Sequence, residues 1–172
     1  LVGSYDGSLY AVDARRGEQQ WRYSTDNYIN GAPALTGNLA VVGGCDAYLH
    51  LVSALDGRPV AAVDTGAYIA ASAAVSGGRA YIGNYADRLV CVELATGRLV
   101  WQYENDRPGG AFFSSPAVSP ETVVVGSRDG RLHCLEARQG EGQHHAALAH
   151  AGALQLSGQL AADLGLQEAI GL

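Results

Sequence analysis

The chain has 172 residues, 48% of them hydrophobic and 23 of them glycine, which is enough for one domain with a real core and many turns. Its 17 acidic residues outnumber 11 basic ones, all arginine; the net charge of −6 excludes the basic face of a nucleic-acid binder and a polybasic membrane patch. The three cysteines have no paired spacing that would make a disulfide framework, and no apolar run reaches the ~18 residues of a membrane span.

The elements that follow in chain order repeat. Gly3, Gly43 and Gly83 stand 40 residues apart, each followed at one offset by Leu9, Leu49 or Leu89, and the pattern returns 43 residues later at Gly126 and Leu132. A second glycine keeps the register at Gly17, Gly57, Gly97 and Gly140. A period near 40 with strand-like filling belongs to propellers and arrays.

Within the first unit, Leu1 to Tyr23, the pair Asp6-Gly7 predicts a tight I′ hairpin turn, repeated at Asp129-Gly130. Leu9, Ala11 and Asp13 then alternate with Tyr10, Val12 and Ala14 in the period of a strand. Residues 15–18 form a second turn, and Glu18 to Tyr23 begin another strand. Further on, Ala32 to Leu35 and Leu39 to Val42 flank the turn Thr36-Gly37-Asn38. Four short strands per repeat make one propeller blade.

This spacing predicts an all-β fold, a partial β-propeller of about four four-stranded antiparallel blades in an open arc, with blades at about 1–25, 32–65, 72–105 and 114–143. The first blade is expected to lack its innermost strand, because Leu1 enters in the second strand of a repeat. With no Met and too few repeats to close a ring, the chain is expected to be an internal fragment. Residues 144–172 carry no Trp, Tyr, Phe, Pro, Lys or Arg and are expected to be a degenerate repeat, a short helix, an out-of-frame stretch or a poorly ordered tail. Within that tail, Ala153 to Ala161 echo Ala32 to Ala40, a hint of the first strand of another blade.

Local signatures narrow the propeller type. Gly-His and Trp-Asp pairs are absent, whereas Ala11-x-Asp13-x-x-x-Gly17-x-x-x-Trp21 is complete and Cys91-x-Glu93-x-x-x-Gly97-x-x-x-Trp101 is its conservative variant. These segments, with Ser114 to Val118, resemble the docking motif and surroundings of the pyrroloquinoline-quinone-type propeller repeats, over roughly residues 1–143. That family includes quinoprotein dehydrogenases and the BamB-like scaffolds of outer-membrane assembly. The motif has a structural rationale: a Trp on an outer strand slides between blades and buries about 150–250 Å², and Asp13 holds turn amides. Ala61 and His144 replace the Trp in repeats two and four, and Ser53 replaces the counterpart of Asp13, so the lock is expected in alternate repeats only.

No catalytic constellation stands out. Phosphate loops, zincin motifs, nucleophile elbows and calcium loops are all absent. His144, His145 and His150 are either solvent-exposed or ligands of a zinc site that lacks further donors. Cys91 and Cys134 share one repeat position and read as small buried apolar residues, while Cys45 sits at a turn.

A binding surface fits better. The loops entering the innermost strands carry Tyr28-Ile29-Asn30, Tyr68-Ile69 and Arg107 to Phe113, and aromatics and arginine at loop tips are interface anchors. Ile29, Ile69 and Phe112 are expected to plug the blade tops, leaving Tyr28, Tyr68, Arg107 and Phe113 for contact.

The resemblance implies a non-catalytic bacterial scaffold that binds a protein, peptide or wall polymer through one rim, periplasmic or extracytoplasmic, without cofactor. Two other readings stay open: part of a quinone-dependent alcohol or sugar dehydrogenase, with pyrroloquinoline quinone and calcium, or a sensory propeller fused to a kinase or other enzyme. The dehydrogenases carry an adjacent Cys-Cys pair and calcium-binding acids, neither recognisable here.

Overall fold

Strands account for all regular structure in the computed structural model, which describes residues 1–140 and the backbone of 142–147. The expectations for residues 148–172, and for the side chains of His144, His145 and His150, lie outside the described residues.

The first sheet holds β1 (Val2–Gly3), β2 (Ser8–Val12) and β3 (Gln19–Ser24). The second holds β4 (Ala34–Thr36), β5 (Leu39–Gly43), β6 (Tyr48–Ser53) and β7 (Pro59–Asp64). The third holds β8 (Ala74–Ser76), β9 (Arg79–Gly83), β10 (Arg88–Glu93) and β11 (Arg98–Glu104). The fourth holds β12 (Ala117–Val118), β13 (Thr122–Gly126), β14 (Arg131–Glu136) and β15 (Gly142–Ala147), whose last strand runs past residue 143.

Each strand pairs antiparallel with its sequence neighbour, so every sheet is a meander. The first strands β4, β8 and β12 approach one another and line the inside of a propeller-like arc, while β3, β7 and β11 are its exposed outer strands.

The sequence markers are cross-strand partners. Gly3 faces Leu9, Gly43 faces Leu49, Gly83 faces Leu89 and Gly126 faces Leu132. At the first three sites a Cβ on the glycine would collide with Ile29, Ile69 or Phe112, each at most 2% exposed, so the glycine makes room for the plug beside it. A bulge recurs at one register in all four sheets, after Ala11, Leu51, Cys91 and Cys134. Bulges at matched positions bend and twist each sheet alike, which lets the sheets stack.

Burial follows from that stacking. In β6 and β10 four successive residues are buried, because both faces of these strands meet another sheet. Three apolar clusters fill the three seams: Leu9, Ile29, Ala40, Val42 and Val52; Val41, Leu51, Val63, Ile69, Ile82 and Val92; and Tyr81, Leu89, Phe112, Val123 and Leu135.

The expected I′ turn at Asp6-Gly7 is corrected. Gly7 has φ 76° but Asp6 does not have positive φ, and the Gly7 N–H donates to the Ser4 carbonyl at 3.2 Å. Asp6 therefore stays in the ordinary half of the map, and a three-residue loop ends in one left-handed residue. The same position is left-handed at Ala47, Asp87 and Gly130, with φ of 76°, 59° and 78°.

Candidate binding surface on one rim

The meander carries every hairpin turn after the second strand, and every loop between sheets, to the same end of the arc. Backbone bonds tie the two sets together: the Cys45, Tyr85 and Arg128 N–H groups donate to the carbonyls of Tyr28, Tyr68 and Ala111 at 2.8, 3.0 and 3.0 Å. The backbone that presents the exposed side chains of these loops is therefore held in place by the sheets below.

Aromatic rings run along this rim. Tyr5 and Tyr28 lie 5.3 Å apart at one end, and Tyr85 links Tyr68 at 6.4 Å to Phe113 at 4.3 Å further along. The Arg128 guanidinium closes the row, 5.2 Å from the Phe113 ring centre. Tyr5, Tyr28, Tyr68 and Tyr85 are between 49% and 70% exposed, whereas Phe113 is half-buried. Tyr68 and Phe113 thus meet through Tyr85, Tyr28 pairs elsewhere, and the exposed Arg107 side chain makes no ring contact, hydrogen bond or ion pair with any of them. Sequence reading missed Tyr5, Tyr85 and Arg128, although all stand two residues after a marker glycine.

The docking motif lies at the seams. Trp21 sits opposite Ala11 and Trp101 opposite Cys91 in their own sheets, and each indole N–H donates across the seam, to the carbonyl of Ala54 or Ala137, at 3.2 Å. Each ring then covers the motif glycine of the next sheet: a Cβ on Gly57 would stand 2.7 Å from Trp21, and one on Gly140 2.5 Å from Trp101. Asp13 accepts from the Arg15 and Arg16 N–H groups at 2.9 and 2.8 Å, while Glu93 instead pairs with Arg79 at 3.6 Å. Gly17 and Gly97 hold φ of 73° and 61° in the corresponding turns.

Two buried polar chains, not foreseen from sequence, cross the same seams as the tryptophans. Tyr23 Oη lies 2.9 Å from His50 Nδ1, and His50 Nε2 lies 3.0 Å from the Asp46 carboxylate. In the other seam Tyr103, His133 and Asp129 repeat this at 3.1 and 3.1 Å, joined by the Asn105 amide. An Nε2–H donated to the carboxylate leaves Nδ1 to accept the tyrosine O–H, so every polar atom of the chain is served. Burial, then the charge of Asp46, raises the Tyr23 hydroxyl above its usual pKa; Tyr103 is raised by burial, then by Asp106 and Asp129. With His50 5% and His133 0% exposed, these groups lock sheets together beneath the rim.

Burial pushes the Cys91 thiol up to about 11, and Cys45 is raised by burial and then by Asp46. Cys45 and Cys91 are free thiols. Among the described residues no three His, Cys, Asp or Glu side chains gather to hold a metal ion, and no helix is long and apolar enough to cross a membrane.

Comparison with known proteins gives one family: the model described as outer membrane protein assembly factor BamB matches residues 1–60 and 45–170. The crystal structure of BamB from Moraxella catarrhalis is similar with a TM-score of 0.72 at 24% identity, covering 84% of this chain and 44% of that one. The computationally designed Ika8 protein is similar with a TM-score of 0.72 at 18% identity, covering 88% of this chain and 46% of that one. These likenesses establish the fold, and the chain spans less than half the length of either structure. No curated protein matches the chain.

Proposed function

Because the chain belongs to the family of the outer membrane protein assembly factor BamB, we propose that it is a non-catalytic propeller segment that docks a protein or peptide partner in an extracytoplasmic compartment. The contact surface is the rim that carries Tyr28, Tyr68, Arg107 and Phe113. The observation that carries this reading is the row of exposed rings held by backbone bonds between sheets. Rigid aromatics cost little entropy to dock and anchor interfaces well. Trp21 and Trp101, the only two tryptophans in the chain, are engaged between sheets, which leaves none to stack under a quinone.

Calorimetry with purified soluble domains of outer-membrane assembly proteins tests the reading. Tyr68→Ala and Phe113→Ala are expected to weaken binding by about 2 kcal/mol each, as interface hot spots do, whereas Leu55→Ala, in an exposed turn at the opposite end of the arc, leaves it unchanged. Equal losses at both ends, or no binding by the unaltered chain, would overturn it.

A further inference from the structure

We propose that the concavity between Tyr5 and Tyr28 receives the guanidinium of an arginine presented by an extended segment of the protein partner. The inference rests on the rim reading above and names the chemistry that one end of the rim selects. Tyr5, Asp6, Thr25, Asp26, Asn27 and Tyr28 line the concavity. The two ring centroids lie 5.3 Å apart with the planes inclined at 46°, and Tyr5 is 70% and Tyr28 51% exposed, so aromatic surface at the concavity is open to solvent. Ring faces attract cations through the aromatic quadrupole, and arginine best combines stacking with a hydrogen-bonding fork.

The carboxylates decide between a cation and a neutral ligand. Asp6 is fixed by the Tyr10 hydroxyl at 2.6 Å and the Ser8 N–H at 3.0 Å, and the Tyr10 bond chiefly holds its carboxyl below the usual range. It therefore keeps its charge. Asp26 is exposed and its carboxylate makes no hydrogen bond or ion pair; only its backbone is engaged, with the N–H donating to Asp46 at 3.3 Å. An arginine fork would supply the missing partner.

The molecule shows both halves of this arrangement elsewhere. In the fourth sheet Arg128 holds the register position of Tyr5 and lies over Phe113 at 5.2 Å, so that end of the rim carries its own cation. The first sheet's Arg22 is committed elsewhere, over Tyr10 at 5.6 Å and donating to Ser8 at 2.9 Å. The Tyr5–Tyr28 site has aromatics and carboxylates and lacks the cation. A net charge of −6 draws cations toward the surface.

The test titrates the 172-residue chain with the capped peptide Gly-Ser-Arg-Ser-Gly, its citrulline and lysine analogues, and a chitin trisaccharide, following the Tyr5 and Tyr28 ring resonances by NMR. Saturable shifts with the arginine peptide are expected. Binding should weaken at least tenfold with citrulline or in Asp26→Asn, weaken severalfold with lysine, and vanish in Tyr5→Ala. Equal binding of the citrulline or lysine peptide, a response to the trisaccharide alone, or indifference to Asp26→Asn would overturn the assignment. Failure here remains separable from failure of the rim reading: an assembly domain lost with Tyr68→Ala and Phe113→Ala but retained by Tyr5→Ala and Asp26→Asn sinks the arginine site and leaves the rim standing.

Discussion

The seams on either side of the middle pair of sheets differ from the seam within it. Between the first and second sheets, and again between the third and fourth, an indole N–H bonds a carbonyl across the gap and a Tyr–His–Asp chain runs beside it. Between the second and third sheets the same register holds Ala61, Val63, Ala86 and Val90, and Val41, Leu51, Ile69, Ile82 and Val92 fill the space. A Cβ on Gly97 would stand 2.9 Å from Ala61, so the strands close over the smaller side chain. One backbone thus supports two ways of joining sheets. Directional bonds from indole and imidazole groups fix relative position at the outer seams, whereas apolar shape and volume fill the middle one, where the buried polar bond is the Asn84 amide donating to the Thr65 carbonyl at 2.7 Å near the rim.

If that contrast is right, the largest effects belong to the tryptophans. Trp21→Ala and Trp101→Ala each remove a seam-spanning ring and its indole bond, although the Tyr81 hydroxyl still serves the Ala137 carbonyl at 3.2 Å, and about 3 kcal/mol of stability should go with each. The half-buried state of both rings puts the cost at the low end for this type of substitution. Ala61→Gly, at the same register in the middle seam, should cost only about 1 kcal/mol from the lost methyl and the freer backbone. Urea denaturation of the variants measures the difference. Equal losses would mean that the seams are not distinct in kind.

Next in size is the acid sensitivity of the seam between the third and fourth sheets. Burial alone would raise the Asp129 carboxyl, but hydrogen bonds from Asn105, the Arg131 N–H and Ser127, with His133 beside it, leave it below its ordinary value of 3.8. A depressed carboxyl contributes stability above about pH 4 and loses it as pH falls through the lower folded value. Asp129→Asn should therefore cost about 1–3 kcal/mol at neutral pH, by leaving the chain of buried groups mismatched, and should flatten the decline of stability below about pH 4. The middle seam has Ala86 at that position and no carboxylate to titrate. Denaturation midpoints between pH 2 and 7 check this; an unchanged acid limb in Asp129→Asn would remove Asp129 from the account.

The same contrast shows what the sequence could and could not reveal. The Gly–Leu spacing was readable because each pair is a cross-strand contact that every sheet must repeat. Trp21 and Trp101 were readable as docking residues, but their targets were not, since each ring covers a glycine in the following repeat. The polar chains escaped notice because His50 and His133 interrupt apolar strands and take their tyrosine from the preceding sheet, a contact between repeats that a within-repeat motif does not display. On the rim, Tyr28, Tyr68 and Phe113 stood out as loop-tip aromatics, whereas Tyr5 and Tyr85 lay inside hairpin turns that read as connections only.

The smallest effect lies in those turns and follows the same division of the molecule. The left-handed position that closes each hairpin is Gly7 in the first sheet and Gly130 in the fourth, but Ala47 in the second and Asp87 in the third. An alanine there sets its Cβ against the following carbonyl, a cost of about 1–2 kcal/mol that glycine does not carry. Part of that gain is offset, because glycine leaves the unfolded chain more freedom to lose. Ala47→Gly should therefore stabilise the fold by about 1 kcal/mol. Asp87→Gly should gain less, since the Asp87 carboxylate accepts from the Gly109 N–H at 3.0 Å and that bond would go. Thermal and urea midpoints of the two variants give the ranking. A loss of stability in Ala47→Gly would show that the turn does not hold a left-handed residue at this position, and the three-residue hairpin described for the second sheet would have to be redrawn.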